Sequence, residues 1–206
     1  MPDASMKRYT NLESVLNHVW SEIEAASQTR GHPYRQPTFG TIHDGAPSLR
    51  TVVLRRADAG DRTLQFHSDR RSQKVSDIRN NSEVAWHGWN QEAKEQIRLH
   101  GTATIHLDDD VATSLWESQS PSSLVVYARP PAPGSELEEP EDGLRPAVKT
   151  EPITDADVAA GRQYFAAIQT VIHEMEWLHL HPDGHYRAHF TYQPERQAFE
   201  GSWVVP

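Results

Sequence analysis

The chain has 206 residues, of which 36% are hydrophobic, and a mean hydropathy of −0.71. That is enough for one sizeable core, so a single domain over residues 1–206 is expected. It contains no cysteine, which excludes disulfides, thiolate nucleophiles and cysteine-ligated zinc or iron–sulfur centres. A net charge of −9 argues against a nucleic-acid partner. No apolar run approaches the ~20 residues that span a bilayer, and Met1–Lys7 has no apolar leader, so a cytoplasmic location is the default expectation.

The elements follow in chain order. Thr10-Asn11-Leu12-Glu13 has the form of a capping box, and Leu12, Val15, Leu16, Val19 and Ile23 make an apolar stripe, predicting a helix over Asn11–Ser27. Thr38–His43 and Ser48–Arg55 read as strands about an Asp44-Gly45 hairpin turn, and Thr63–Ser68 as a third strand. Val75 and Ile78 give a short helix over Arg70–Arg79, with Ser68–Ser72 offering N-caps. Val84–Trp89 and Gln96–Leu107 are further strands, and Asp108–Asp110 opens a helix running to about Glu117. A Pro-, Gly- and acid-rich stretch at about 129–153 reads as a long loop. Thr154–Asp157 then caps a helix with Val158, Phe165, Ile168 and Ile172 as its apolar positions. Met175–His181, Tyr186–Gln193 and Ala198–Val204 close the chain as strands. The fold class is α+β: an antiparallel Greek-key barrel of about six to eight strands with peripheral helices.

The candidate chemistry lies in a basic block inside this acidic chain: Arg50, Arg55, Arg56, Arg62, Arg70, Arg71 and Lys74. Two strands bearing Arg and Ser lead into a helix whose first turn has free N–H groups, which is what a phosphate monoester requires. Such a block is also what a solvated surface looks like. Arg50 and Arg55 are five residues apart, so in one regular strand they face opposite sides. Both reach one ligand only across a bulge or a subunit boundary.

The stretch resembles the pyridoxamine 5′-phosphate oxidase-like flavoproteins with an FMN-binding split barrel. The family's Arg-x-Val-x-Leu-Lys stands here as Arg50-Thr51-Val52-Val53-Leu54-Arg55. Its Phe-Tyr-Thr-Asn and Ser-Arg-Lys stand as Phe66-His67-Ser68-Asp69 and Ser72-Gln73-Lys74. Asn80-Asn81-Ser82-Glu83-Val84 echoes a third motif, and the flavin-side Gln falls on Gln96. The resemblance implies a homodimer with FMN between the subunits. Arg50, Arg55, Ser68, Ser72 and Lys74 would surround the phosphate, with Thr51, His67, Arg71 and Gln73 beside them. Gln96 and the backbone of Val52 and Val53 would face the ring.

The implied activity is hydride transfer between a small-molecule substrate and FMN, with Arg187 and His189 as substrate-side candidates, His67 as a further one, and no residue identified as an acid or base. The family's substrate-binding Arg-x-His stands here as His185-Tyr186-Arg187, in the opposite order, and a ring-packing Trp falls on Leu178. Pyridoxamine phosphate oxidation itself is therefore disfavoured, and the chain looks closer to the oxidase-related branch. A flavin- or haem-binding barrel without turnover is the non-enzymatic alternative. His179, His181, His185 and His189 bracket a turn rather than share a helix face, so no metal site is expected.

Overall fold

The computed structural model describes Tyr9, residues 11–144 and residues 152–206. Thr10 of the expected capping box, the N-terminal residues Met1–Lys7 and part of the long loop lie outside the described residues. Helix α1 (Leu12–Gln28) is capped instead by Asn11, whose side chain accepts from the Ser14 amide at 2.8 Å. Its stripe of Val15, Val19 and Ile23 is fully buried.

Among the described residues nine strands form one wholly antiparallel sheet: β1 (Thr38–His43), β2 (Ala46–Thr51), β3 (Leu54–Asp58), β4 (Thr63–Asp69), β5 (Glu83–Asn90), β6 (Glu95–His106), β7 (Phe165–His179), β8 (Tyr186–Gln193) and β9 (Ala198–Val204). Hydrogen-bonded order runs β2-β1-β5-β6-β7-β4-β3, while β8 pairs with the far end of β7 and carries β9. The path thus begins and ends on β2 and β3, which are consecutive in the chain and joined only by Val52-Val53, yet do not pair. The sheet curls on itself without closing, as a split barrel. Phe39, Phe66 and Trp86 meet inside it at ring separations of 4.7–5.5 Å. The expected hairpin at Asp44-Gly45 is present, with both residues at positive φ.

Between β4 and β5 runs α2 (Gln73–Asn80), and between β6 and β7 lie α3 (Asp110–Glu117), α4 (Pro121–Leu124) and α5 (Asp155–Val158). These last helices and the 3₁₀ turn Val125–Ala128 build a second apolar cluster around Tyr127 and Phe165. That cluster packs on β7 through Phe165 and Ala167, and Phe165 meets His67 of β4 edge-on with ring centroids 5.0 Å apart.

Three expectations need correction. The single strand Ser48–Arg55 is two, broken at Val52-Val53, so the eight expected strands become nine. The helix expected from Arg70 begins at Gln73, because Asp69 accepts from the Arg71 amide at 2.8 Å and holds a turn ahead of it. The helix expected through Ile172 stops after one turn of α5 and a 3₁₀ segment, and Phe165 opens the longest strand. Ile168 and Ile172 stand four apart, a spacing that fits period 3.6 and period 2 equally. The buried Thr170 between them settles it as strand, with β4 and β6 both pairing to that stretch.

Candidate functional site

The end of β4 meets the start of α2 in a polar cradle. Ser72 occupies the N-cap position of α2, but its hydroxyl makes no capping bond. It lies 3.1 Å from the hydroxyl of Ser68, and Lys74 Nζ reaches that same Ser68 oxygen at 3.4 Å. Both serines are buried. Burial, and then the neighbouring Arg50 charge, push the Lys74 ammonium below its ordinary pKa. The cradle therefore holds two cations close together, two hydroxyls and a helix start whose cap is unused, a donor set suited to a dianion.

Arg50 is oriented from behind. Its guanidinium donates to Thr41 Oγ1 at 2.7 Å and to Ser48 Oγ at 2.8 Å, and stands 3.5 Å from Asp77. Asp77 is the hub of this network, accepting from Thr41 at 2.7 Å and Gln73 at 3.1 Å and pairing with His43 at 2.8 Å. Burial alone would raise its pKa, but the hydrogen bonds from Thr41, Gln73 and His43 outweigh burial and hold it below the usual carboxylate range. Gln73 thus supports the carboxylate behind the cradle. Arg71 is engaged elsewhere: it forms a two-pronged pair with Asp69 (3.0 and 2.7 Å), donates to the carbonyls of Pro130 and Arg129, and stacks 3.5 Å over Tyr164. It braces the segment that crosses the site.

That segment helps to enclose a cleft of about 370 Å³, with His67, Ser68 and Lys74 on one side and Tyr127, Arg129 and the acidic stretch containing Glu141 and Asp142 on the other. His67 Nε2 is buried and, among the described residues, has no hydrogen-bond partner. Burial, and then Arg55, push its pKa down to about 3, so the imidazole is neutral. Arg55 makes no hydrogen bond or ion pair among the described residues. The break at Val52-Val53 has separated it from the strand of Arg50, so the face-parity difficulty does not arise. The Val52 amide donates to the Pro37 carbonyl at 3.1 Å, and Thr51 is exposed at the slit.

The ring-side and substrate-side candidates lie apart from this cradle. Thr51, Thr38, His87, Arg98, Glu176 and His189 stand in register across six strands. They therefore share the outer face of the sheet. On that face Gln96 meets His87 at 3.2 Å, Arg187 and Arg98 both pair with Glu176, and His189 pairs with Glu174 at 3.0 Å. Leu178 stands beside Gln96, whereas Trp177 is fully buried in the core. Ser68 is opposite Ala166 on β7 and Arg187 is opposite Leu178, twelve residues further along. At ~3.3 Å per residue that is roughly 40 Å of strand, which separates Arg187 from Ser68 within one protomer. Asp77, Tyr127 and Arg129 had no role in the sequence reading. For Asp77 the only sequence signal is Gln73, four residues earlier on the same helix face. Among the described residues no three His, Asp or Glu side chains gather to hold a metal ion.

Residues 17–107 match the family model described as pyridoxamine 5′-phosphate oxidase, FMN-binding domain. Over that stretch, a little under half of its length, the chain is similar to this family. Solved structures share its fold. A pyridoxamine 5′-phosphate oxidase-related, FMN-binding protein from Nostoc punctiforme is 18% identical with a TM-score of 0.71, covering 97% of this chain and 100% of its own. PhzG from Burkholderia lata, solved with tetrahydrophenazine-1-carboxylic acid, is also 18% identical, with a TM-score of 0.68 over 100% and 98% of the two chains. A general stress protein 26-related protein from Clostridium acetobutylicum is 10% identical, with a TM-score of 0.56 over 90% and 99%. No curated protein matches the chain. The family's matched segment contains the slit, the cradle and Gln96, but not Arg187 or His189. No described helix is long and apolar enough to cross a membrane.

Proposed function

We propose that the chain is an FMN-dependent oxidoreductase that exchanges a hydride with a small-molecule substrate, acting as a homodimer with the cofactor held between subunits. The observation that carries this reading is the cradle of Ser68, Ser72, Lys74 and Arg50, in which the N-cap hydroxyl of Ser72 makes no capping bond and meets only the Ser68 hydroxyl among the described residues, and a half-buried ammonium reaches that same Ser68 oxygen at 3.4 Å. Lys74 and the two hydroxyls would hold the phosphate, and Asp77 would keep Arg50 aimed at it. When bound, the flavin supplies the two-electron chemistry, while the chain binds and orients. His67, neutral at physiological pH, offers a nitrogen for hydrogen bonding rather than a charge.

The homodimer is supported by the separation of the two residue groups. A second copy can bring Gln96, Arg187 and His189 of its outer face to the first copy's cradle. Leu49, Trp89 and Val204 expose apolar surface on that same face, as an interface requires. Sedimentation of FMN-loaded protein, followed at the flavin absorption band, tests both parts. The expected result is flavin absorbance moving with a particle of twice 23.3 kDa and bleaching when a reductant is added. Flavin that stays behind, a monomeric particle, or a haem Soret band in its place contradicts the proposal.

A further inference from the structure

A second cleft, of about 520 Å³, lies on the other side of His67 along β4, between α3 and the strand surface of β3, β4 and β7. It has no part in the flavin reading and does not depend on it. Its size is that of a small-molecule site.

Its lining is chemically specific. Gln65, only 6% exposed, lines the cleft, and among the described residues its Oε1 has no hydrogen-bond partner. Its Nε2 is spent on Gln169 Oε1 at 2.5 Å. Exchanging the two ends of the amide leaves a buried donor unpaired instead of a buried acceptor, so either assignment leaves a polar group wanting a partner. Opposite Gln65 across the β3–β4 pairing stands Arg56, exposed and, among the described residues, without hydrogen bond or ion pair. The other cation, Arg62, is committed: it donates to the Ile172 carbonyl at 2.9 Å and stacks 3.4 Å over Tyr192. Asp61 and Asp110 complete the charged lining, and Val111, Leu115 and Val171 the apolar part.

We infer that this cleft binds a small organic acid whose body carries an N–H or O–H donor. The carboxylate is taken by Arg56, whose planar fork suits two oxygens at once. The donor is taken by the Gln65 oxygen, with the Asp61 and Asp110 carboxylates beside it, and a flat apolar body lies against Val111, Leu115 and Val171. Inorganic phosphate has no flat apolar body to lie against Val111, Leu115 and Val171.

Equilibrium dialysis with 4-aminobenzoate, benzoate and inorganic phosphate tests this on the whole chain. The expected order is 4-aminobenzoate tightest, benzoate at least threefold weaker, and phosphate unable to displace either. Arg56→Met, a substitution at an exposed position, should weaken both aromatic acids at least tenfold. Lys74→Met should leave them unchanged, because it removes a side chain of the other cleft. Equal affinity for the two acids, no binding of either, or a loss caused by Lys74→Met rather than Arg56→Met would each overturn the assignment. None of these outcomes bears on FMN, whose binding is read separately.

Discussion

His67 shows how one side chain couples the site to stability. It sits between two clefts, buried against Phe165 with ring centroids 5.0 Å apart, and its pKa is pushed down to about 3. In the unfolded chain the same imidazole titrates near 6.5. The unfolded state therefore takes up a proton that the folded state refuses. The stability linked to this group is complete above pH ~6.5 and is lost as pH falls toward 3, at up to about 1.4 kcal/mol per pH unit. His67→Phe should remove that liability, so between pH 7 and 5 it should lose about 1–2 kcal/mol less than the parent, measured by urea unfolding at each pH. An equal loss in both proteins would show that His67 is not buried neutral. His179, buried and likewise pushed down by desolvation, adds to the parent's acid sensitivity and is common to both proteins. At this scale the basic residues of the site were legible as residue types in order. What they touch was not. Asp77, the carboxylate that orients Arg50 and binds Gln73, looks like any surface acid until the fold buries it.

At the scale of elements, β7 and the β2–β3 break carry the lesson. Spacing by four residues predicts a helix over Ile168 and Ile172 but satisfies both periods, and the pairing that decides between them comes from β4 and β6, far away in the chain. The break at Val52-Val53 has no glycine or proline to mark it, since both residues favour strands. It exists because the two edges of the curled sheet meet there. A second tertiary constraint lies where β6 crosses β7. At the register shift after His100, a Cβ placed on Gly101 would come 2.4 Å from the Val171 carbonyl oxygen. That backbone atom cannot step aside without disturbing the ladder. Gly101→Ala should therefore destabilise the protein by about 3 kcal/mol, within the range of overpacking a tight site. Thermal unfolding monitors it, and an unchanged melting temperature would mean that the two strands are further apart than described.

For the molecule as a whole, the similarity over residues 17–107 and the antiparallel α+β architecture were readable because several motifs occur in order over about seventy residues, and local patterns gave most strands. The location of the two residue groups on a curled sheet was not readable, since it depends on strand order rather than sequence order. It is that arrangement, with the cradle at one end of β7 and Gln96 and Arg187 near the other, that gives the dimer proposal its force. The central claim is that Ser68, Ser72 and Lys74 grip a phosphate, and riboflavin, the same ring system without that group, is its natural control. Titrating FMN and riboflavin against the parent protein and Lys74→Met should show FMN weakened about tenfold or more, the effect of losing one charge-assisted contact, and riboflavin unchanged. Equal losses for both ligands, or no loss for FMN, would contradict the account.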